Sequence, residues 1–236
     1  MHTDAHRWSW RARNNQGQFG GRQMGQSRGR NLVRGGSEMN NGRAESRVIV
    51  LHGAHGGPDT NWFPWLHAAL NAEGIEVLRP QFPTPEGQSL KAWVNAYDLA
   101  VKPLPLAPTI LVGHSLGAAL ALRLVERAVE PFDGLFLAAP FVGALGLPDY
   151  DSINQSFFAV SFDWAGICER KGRACRCWAG DDDPYVPLSR SQDVADCLKT
   201  PLEIVPGGGH LNSETGFNAF PQLRDAILTE RASTRN

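Results

Sequence analysis

The sequence predicts an α/β fold: a parallel sheet of about six strands with helices on both faces, right-handed crossovers and no separate cap domain. Three observations carry that prediction. Short apolar runs alternate with stretches of helical periodicity, beginning at Arg47-Val48-Ile49-Val50-Leu51. The runs end at glycine-rich or polar breaks, among them His52-Gly53, Asp181-Asp182-Asp183 and Gly207-Gly208-Gly209-His210. One run, Ile110-Leu111-Val112, stops at Gly113-His114-Ser115-Leu116-Gly117 and restarts at once with helical spacing.

Residues 1–46 stand apart from the rest. They are rich in Arg, Gly, Asn and Gln and hold almost no aliphatic side chains beyond Leu32 and Val33, so they cannot bury enough surface to offset the entropy of ordering. A disordered tail is expected there, with three accounts of it: an arginine–glycine nucleic-acid tail, an organelle transit peptide, or sequence lying upstream of a true start at Met39. The last is preferred, because Met39 lies just ahead of the first strand. Scattered arginines with only Trp8, Trp10 and Phe19 to stack on bases make nucleic-acid binding the weaker reading. The tail has no apolar run of the kind a secretory signal carries.

The folded domain is expected over residues 47–232. After the first strand, Asn61 is placed to cap a helix through Trp62, Trp65, Leu66, Ala69 and Leu70, which Gly74 ends. A strand over residues 75–78 closes at Arg79-Pro80, and a helix follows from Ser89 to Val101 with Leu90, Trp93, Val94 and Tyr97 inward. The run from Thr109 then enters the glycine-flanked serine, and Leu116, Leu120 and Leu124 with Ala121, Val125 and Ala128 continue as a helix. Residues 134–139 form a buried strand ended by Pro140. Periodicity lapses over residues 141–164, where Phe157, Phe158, Phe162 and Trp164 supply aromatics for the mouth of a site. Residues 175–179 resume a strand, a helix spans residues 189–198, a last strand spans 202–205, and a helix over 217–228 finishes the domain.

Composition narrows the function. The 23 basic and 24 acidic side chains leave a net charge of -1, so no global field draws the chain to nucleic acid or membrane, and the expected partner is a small molecule. No apolar stretch reaches the roughly 18 to 20 residues of a bilayer span. Cys168, Cys175, Cys177 and Cys197 are not spaced as a zinc site, and reduced thiols, a cytoplasmic location and no metal or other cofactor are expected.

The chemistry gathers at the carboxyl ends of the predicted strands, where sheets of this kind hold their ligands. A serine between two glycines at a strand-to-helix turn has the layout of a nucleophile elbow, which makes Ser115 the candidate nucleophile. A serine hydroxyl needs an imidazole to take its proton, and His210 follows the last strand behind three glycines that leave it free to swing in. The imidazole needs a carboxylate, for which Asp181, Asp182 and Asp183 compete; spacing alone does not choose. The order Ser, Asp, His is that of α/β-hydrolases. Backbone N–H groups of Leu116 and Ala54 are the expected donors to an oxyanion. His52, Trp62, Phe157 and Trp164 are the candidate substrate-pocket residues, while His114, His55 and His67 are assigned no role.

His52-Gly53, Thr60-Asn61-Trp62-Phe63-Pro64-Trp65-Leu66, Gly113-His114-Ser115-Leu116-Gly117, Asp182-Asp183-Pro184 with Val186-Pro187, and Gly209-His210 with Gly216-Phe217 together resemble the small cap-less α/β-hydrolases of the retinoblastoma-binding protein 9 and YdeN type. The resemblance runs from Arg47 to the last helix and leaves the tail out. It implies Asp183 as the catalytic acid beside Ser115 and His210, and a serine hydrolase acting on small carboxylic esters, amides or aminoacyl substrates. An acyltransferase would use the same residues. A non-catalytic interaction platform is the alternative of another class, and the retention of Ser, Asp and His argues against it.

Overall fold

The computed structural model describes residues 46–235 of the chain. The expectations of a disordered tail and of a start at Met39 fall, Ser46 apart, outside the described residues. Six strands, β1 (Arg47–Leu51), β2 (Glu76–Leu78), β3 (Thr109–His114), β4 (Gly134–Ala138), β5 (Ala174–Gly180) and β6 (Leu202–Val205), form one parallel sheet in the order β2-β1-β3-β4-β5-β6. Helices α1 (Phe63–Asn71), α2 (Leu90–Val101), α3 (Leu116–Arg127), α4 (Pro148–Asn154), α5 (Trp164–Arg170), α6 (Leu188–Cys197) and α7 (Pro221–Arg235) connect and follow them.

Alternation along the strands divides the core in two. Val48, Val50, Ile110, Val112, Phe136 and Trp178 face α1 and α7, where they meet Trp62, Leu66, Leu223 and Ile227. Ile49, Leu51, Leu111, Leu135, Leu137 and Cys177 face the other way, against Trp93, Leu120, Ile167 and Val194 of α2, α3, α5 and α6. Both faces of the sheet are covered, which is why its strands read as continuous apolar runs. Helix α3 is enclosed on every side: each residue from Leu116 to Val125 is buried. No helix among the described residues is long and apolar enough to cross a membrane.

Strand order reverses between β1 and β3, the two strands whose carboxyl ends carry His52-Gly53-Ala54 and Ser115, and Leu51 is in register with Gly113. That reversal opens the sheet edge at which ligands bind in doubly wound folds.

Three expectations need correction. Asn61 does not cap α1; the chain enters that helix at Trp62 without a side-chain cap, and Asn61 turns its Oδ1 to the N–H and hydroxyl of Ser213 instead. The stretch 141–164 is not a plain loop, since it holds α4 and the start of α5. Pro148 opens α4, and the Asp151 carboxylate gathers the N–H groups of Leu145, Gly146 and Leu147 ahead of it. Asp163 caps α5 by accepting from the Gly166 N–H. The last helix begins at Pro221 rather than Phe217, in keeping with the extended backbone that proline imposes on its predecessor.

Gly113 and Gly117 are dictated by contact. A β-carbon on Gly117 would stand 2.1 Å from the carbonyl oxygen of Leu51, and one on Gly113 would stand 2.6 Å from the Cα of Ala118. Both obstacles are backbone, which cannot turn aside. Gly117→Ala therefore forces α3 away from β1 and is expected to cost about 3 kcal/mol, read as a fall of roughly ten degrees in Tm. An unchanged melting curve would show that α3 can slide along the sheet.

Candidate active site

Ser115 sits at the tip of the β3–α3 turn with φ 57° and ψ −125°, a conformation that costs a non-glycine residue about 1–3 kcal/mol and persists only where its surroundings enforce it. They do so here. Its N–H donates to the Ala138 carbonyl of β4 at 2.9 Å, while its own carbonyl accepts from Ala118 at 2.9 Å. The turn leaves Ser115 half-buried at the sheet edge.

The loop after β1 presses against that hydroxyl. A β-carbon on Gly53 would lie 2.9 Å from Ser115 Cβ and 3.3 Å from its Oγ. Among the described residues, the N–H groups of Ala54 and Leu116 donate to no protein acceptor, so two free donors flank the serine where an oxyanion would form. The loop is held from both ends. His52 Nε2 accepts from the Phe82 N–H at 3.0 Å, which leaves Nδ1 to donate to the Gly53 carbonyl at 2.8 Å. His55, at φ 56°, donates its N–H to Thr84 Oγ1 at 2.7 Å. Thr84 in turn donates to Gln88, whose amide reaches the buried Asn154 at the end of α4 at 2.7 Å.

Across the sheet, the turn after β5 binds the turn after β6. Asp183 Oδ2 accepts from His210 Nδ1 at 2.8 Å, and its Oδ1 accepts the N–H groups of Tyr185 and Val186 at 2.8 and 3.0 Å. The Asp183 side chain is 1% exposed, and its three donors hold it in the acceptor role. This bond fixes the proton of His210 on Nδ1 and leaves Nε2 as the basic nitrogen. Asp181 and Asp182 face backbone instead, taking the N–H groups of Gly207 and Gly209 at 2.8 and 2.7 Å. The three glycines do not let His210 swing. Gly209 comes so close to Gly180 that a β-carbon there would meet the Gly209 oxygen at 2.1 Å, and the loop is packed in place.

His114, assigned no role from the sequence, joins the two halves. It is buried, donates Nε2–H to the His210 carbonyl at 2.8 Å, and stacks edgewise on the His210 ring with centroids 4.9 Å apart. His210 is thereby seated beside the elbow. No hydrogen bond joins Ser115 Oγ to His210 in this structure; such contacts commonly tighten only when substrate is bound.

Three of the four candidate pocket residues are closed off from the surface. His52, Trp62 and Phe157 are 1%, 0% and 0% exposed, which leaves them no surface for substrate. Trp62 instead donates Nε1–H to the Leu211 carbonyl at 3.0 Å and so holds the His210 loop from beneath. Phe157 packs edge-on against Trp93 and gives its carbonyl to Arg123. Trp164 lies beside Phe162, itself 3.6 Å beneath the Arg123 guanidinium. Arg123 is two turns along α3, about 12 Å from the elbow. The residues that do reach the open edge, His55, Tyr150, Tyr185 and Glu214, carry no motif that would single them out; Tyr150 lies in the stretch whose helix the glycines and proline conceal.

A doubly wound sheet with a serine at a strained strand-to-helix turn, and an imidazole and carboxylate on the following strand ends, defines an α/β-hydrolase. Residues 48–229 match the family described as serine hydrolase, and the chain belongs to that family. It is 33% identical to YdeN of Bacillus subtilis over 186 residues, 78% of this chain and 95% of that protein. The crystal structure of the ydeN gene product superposes with a TM-score of 0.71 at 30% identity, covering 80% of this chain and all of the other. Serine hydrolase RBBP9 of Rattus norvegicus is 24% identical over 187 residues, 78% of this chain and 96% of that one. The likeness to the YdeN and RBBP9 type read from the residues is thus upheld.

Burial pushes the His114 pKa down from 6.5 to about 3, with the neighbouring His210 acting in the same direction. Burial lowers His52 as well. Between about pH 6.5 and 3 the unfolded chain takes up a proton that folded His114 refuses. Stability is therefore full above pH 6.5 and falls as the medium is acidified. From about pH 7 to about pH 5 this one group accounts for about 2 kcal/mol. Denaturant titrations at the two values should show a smaller loss in His114→Gln than in the parent; equal losses would place the acid sensitivity in other groups.

Proposed function

We propose that the chain hydrolyses small carboxylic esters, and amides or aminoacyl compounds of similar size, through Ser115, His210 and Asp183. The observation that carries this reading is the 2.8 Å bond from His210 Nδ1 to Asp183, made by an imidazole packed against the residue that precedes Ser115. Nε2 takes the Ser115 proton as Oγ attacks the substrate carbonyl carbon, and the N–H groups of Ala54 and Leu116 receive the oxyanion. Collapse breaks the bond to the leaving group, to which Nε2 returns the proton, and an acyl-serine remains. Water then gives its proton to Nε2, attacks the acyl carbon, and releases the acid as the proton returns to Oγ. No step calls on a metal or cofactor. The substrate is a small molecule reached in aqueous solution, in keeping with a cytoplasmic setting.

An interaction platform without catalysis has no need to spend a buried carboxylate on orienting an imidazole, so the hydrolase reading is preferred. A fluorophosphonate probe should label the parent at Ser115 and leave Ser115→Ala untouched. Ester turnover in that variant should fall by as much as roughly a million-fold while the fold is retained. A folded, uncontaminated Ser115→Ala protein that still turns over ester would remove the assignment.

The three aspartates give a graded test. Asp183→Asn loses the carboxylate that sets the imidazole tautomer, and turnover should drop roughly ten-thousand-fold. Asp181→Asn touches only the Gly207 end of the loop and should stay within about tenfold of the parent, a barrier change of about 1.4 kcal/mol. Asp182→Asn, which holds the N–H of the residue before His210, should fall between the two. An active Asp183→Asn beside a dead Asp181→Asn would overturn the assignment of the acid.

A further inference from the structure

An arc of aromatic rings runs along the open edge of the site. The His55 ring stands 5.3 Å from that of Tyr150, Tyr150 stands 6.0 Å from Tyr185, and Tyr185 meets the His210 imidazole edgewise at 5.1 Å. Glu214 completes it. This residue lies in the short turn Ser213–Thr215 just after His210, and its Oε2 accepts from the Tyr185 hydroxyl at 2.9 Å and the Asn212 amide at 3.1 Å. Among the described residues it forms no ion pair with any Lys, Arg or His. Its charge reaches both phenols. Burial, helped by Glu214, pushes Tyr185 up to about 12 and raises Tyr150, to which Asp149 also contributes. Both phenols stay neutral, and the Glu214 carboxylate stands beside aromatic rings with no cationic side chain paired to it among the described residues.

We propose that His55, Tyr150, Tyr185 and Glu214 form a subsite for a cationic group on the leaving part of the substrate, so that esters of amino alcohols or quaternary ammonium alcohols are preferred over neutral ones. The inference rests on the hydrolase reading above. The chemistry of the subsite selects the charge: an ammonium gains from the π faces and from the carboxylate, whereas a carboxylate or phosphate is repelled by Glu214 and Asp149. Its position selects the part of the substrate. Tyr185 packs on His210, the group that delivers its proton to the departing oxygen, so a ligand atom against Tyr185 lies on the leaving side of the scissile bond. Glu214 is exposed, so the discrimination is modest.

The test compares the acetate ester of choline with dimethylbutyl acetate, its neutral carbon isostere, as a ratio of kcat/KM within each protein. The full-length parent should favour the cationic ester by about five- to tenfold, and the preference should shrink at high ionic strength. Glu214→Gln should bring the ratio close to one. Because both esters share the acyl group and the triad, a general loss of activity in the variant cancels from the ratio. Equal use of the two esters by the parent, or a preference that survives in Glu214→Gln, overturns the subsite and leaves the hydrolase standing. Failure to turn over either ester by a parent whose Ser115 still takes the fluorophosphonate also overturns the subsite alone. A parent that neither turns over ester nor takes the probe removes the hydrolase reading and the subsite with it.

Discussion

The contact of Gly117 with the end of β1 is the constraint on which the rest depends. Only a residue without a side chain lets α3 start against the Leu51 carbonyl, and only that close start bends the chain sharply enough to hold Ser115 at φ 57°. The same contact sets the distance between Ser115 and the loop after β1, because Gly53 touches the serine from the other side. Ser115 and the free N–H groups beside it are thus fixed by one piece of backbone packing at the point where strand order reverses. The strain at Ser115 is sustained by a helix buried all round, which has no other position in the core to move to.

The second half of the site is assembled by side chains replacing a sheet ladder. Pairing of β5 with β6 ends at Gly180 opposite Val205. Beyond that point three successive aspartates continue the fastening: Asp181 to Gly207, Asp182 to Gly209 and Asp183 to His210. Two bonds go to backbone and the third to the imidazole, so the loop is tied on one flank before the imidazole is oriented. Asn61 and Trp62 tie the other flank through Ser213 and Leu211. Hydrogen bonds to ionised acceptors are the stronger kind, which suits a glycine-rich segment with little apolar surface of its own.

Much of this was legible in the sequence because the signals were local. Alternating apolar runs gave the six strands, and the glycines around Ser115 gave the elbow, since the close approach leaves no room for any other residue. The choice among Asp181, Asp182 and Asp183 was not local: all three are acceptors in one turn, and which meets His210 depends on how β6 is registered against β5. The pocket residues failed for a related reason. Aromatic composition says that Trp62, Phe157 and Trp164 are packed somewhere, but not on which side of the sheet, and two of these rings became core. Helix α4 was hidden because Pro148 and the glycines before it interrupt the helical spacing, whereas Pro148 opens the helix and Asp151 gathers the N–H groups of Leu145, Gly146 and Leu147. That helix carries Tyr150 to the site, so the rim was missed with it.

His52 and His114 show how burial serves the chemistry. Each is held neutral by its surroundings and each gives its one N–H to a loop carbonyl: His52 to Gly53 beside the free Ala54 N–H, His114 to His210 itself. Their tautomers are opposite, because the acceptor stands on a different nitrogen in each case. Neutrality matters most at His114, whose ring lies 4.9 Å from the imidazole that would become positive in the proposed attack. A charged His114 at that separation would oppose the imidazolium by about 3 kcal/mol at an effective dielectric constant of about 20, enough to slow the step by roughly a hundredfold. Burial among Trp62, Phe63 and the elbow prevents this, so the residue that seats His210 also leaves Asp183 as the charge its proton feels most closely.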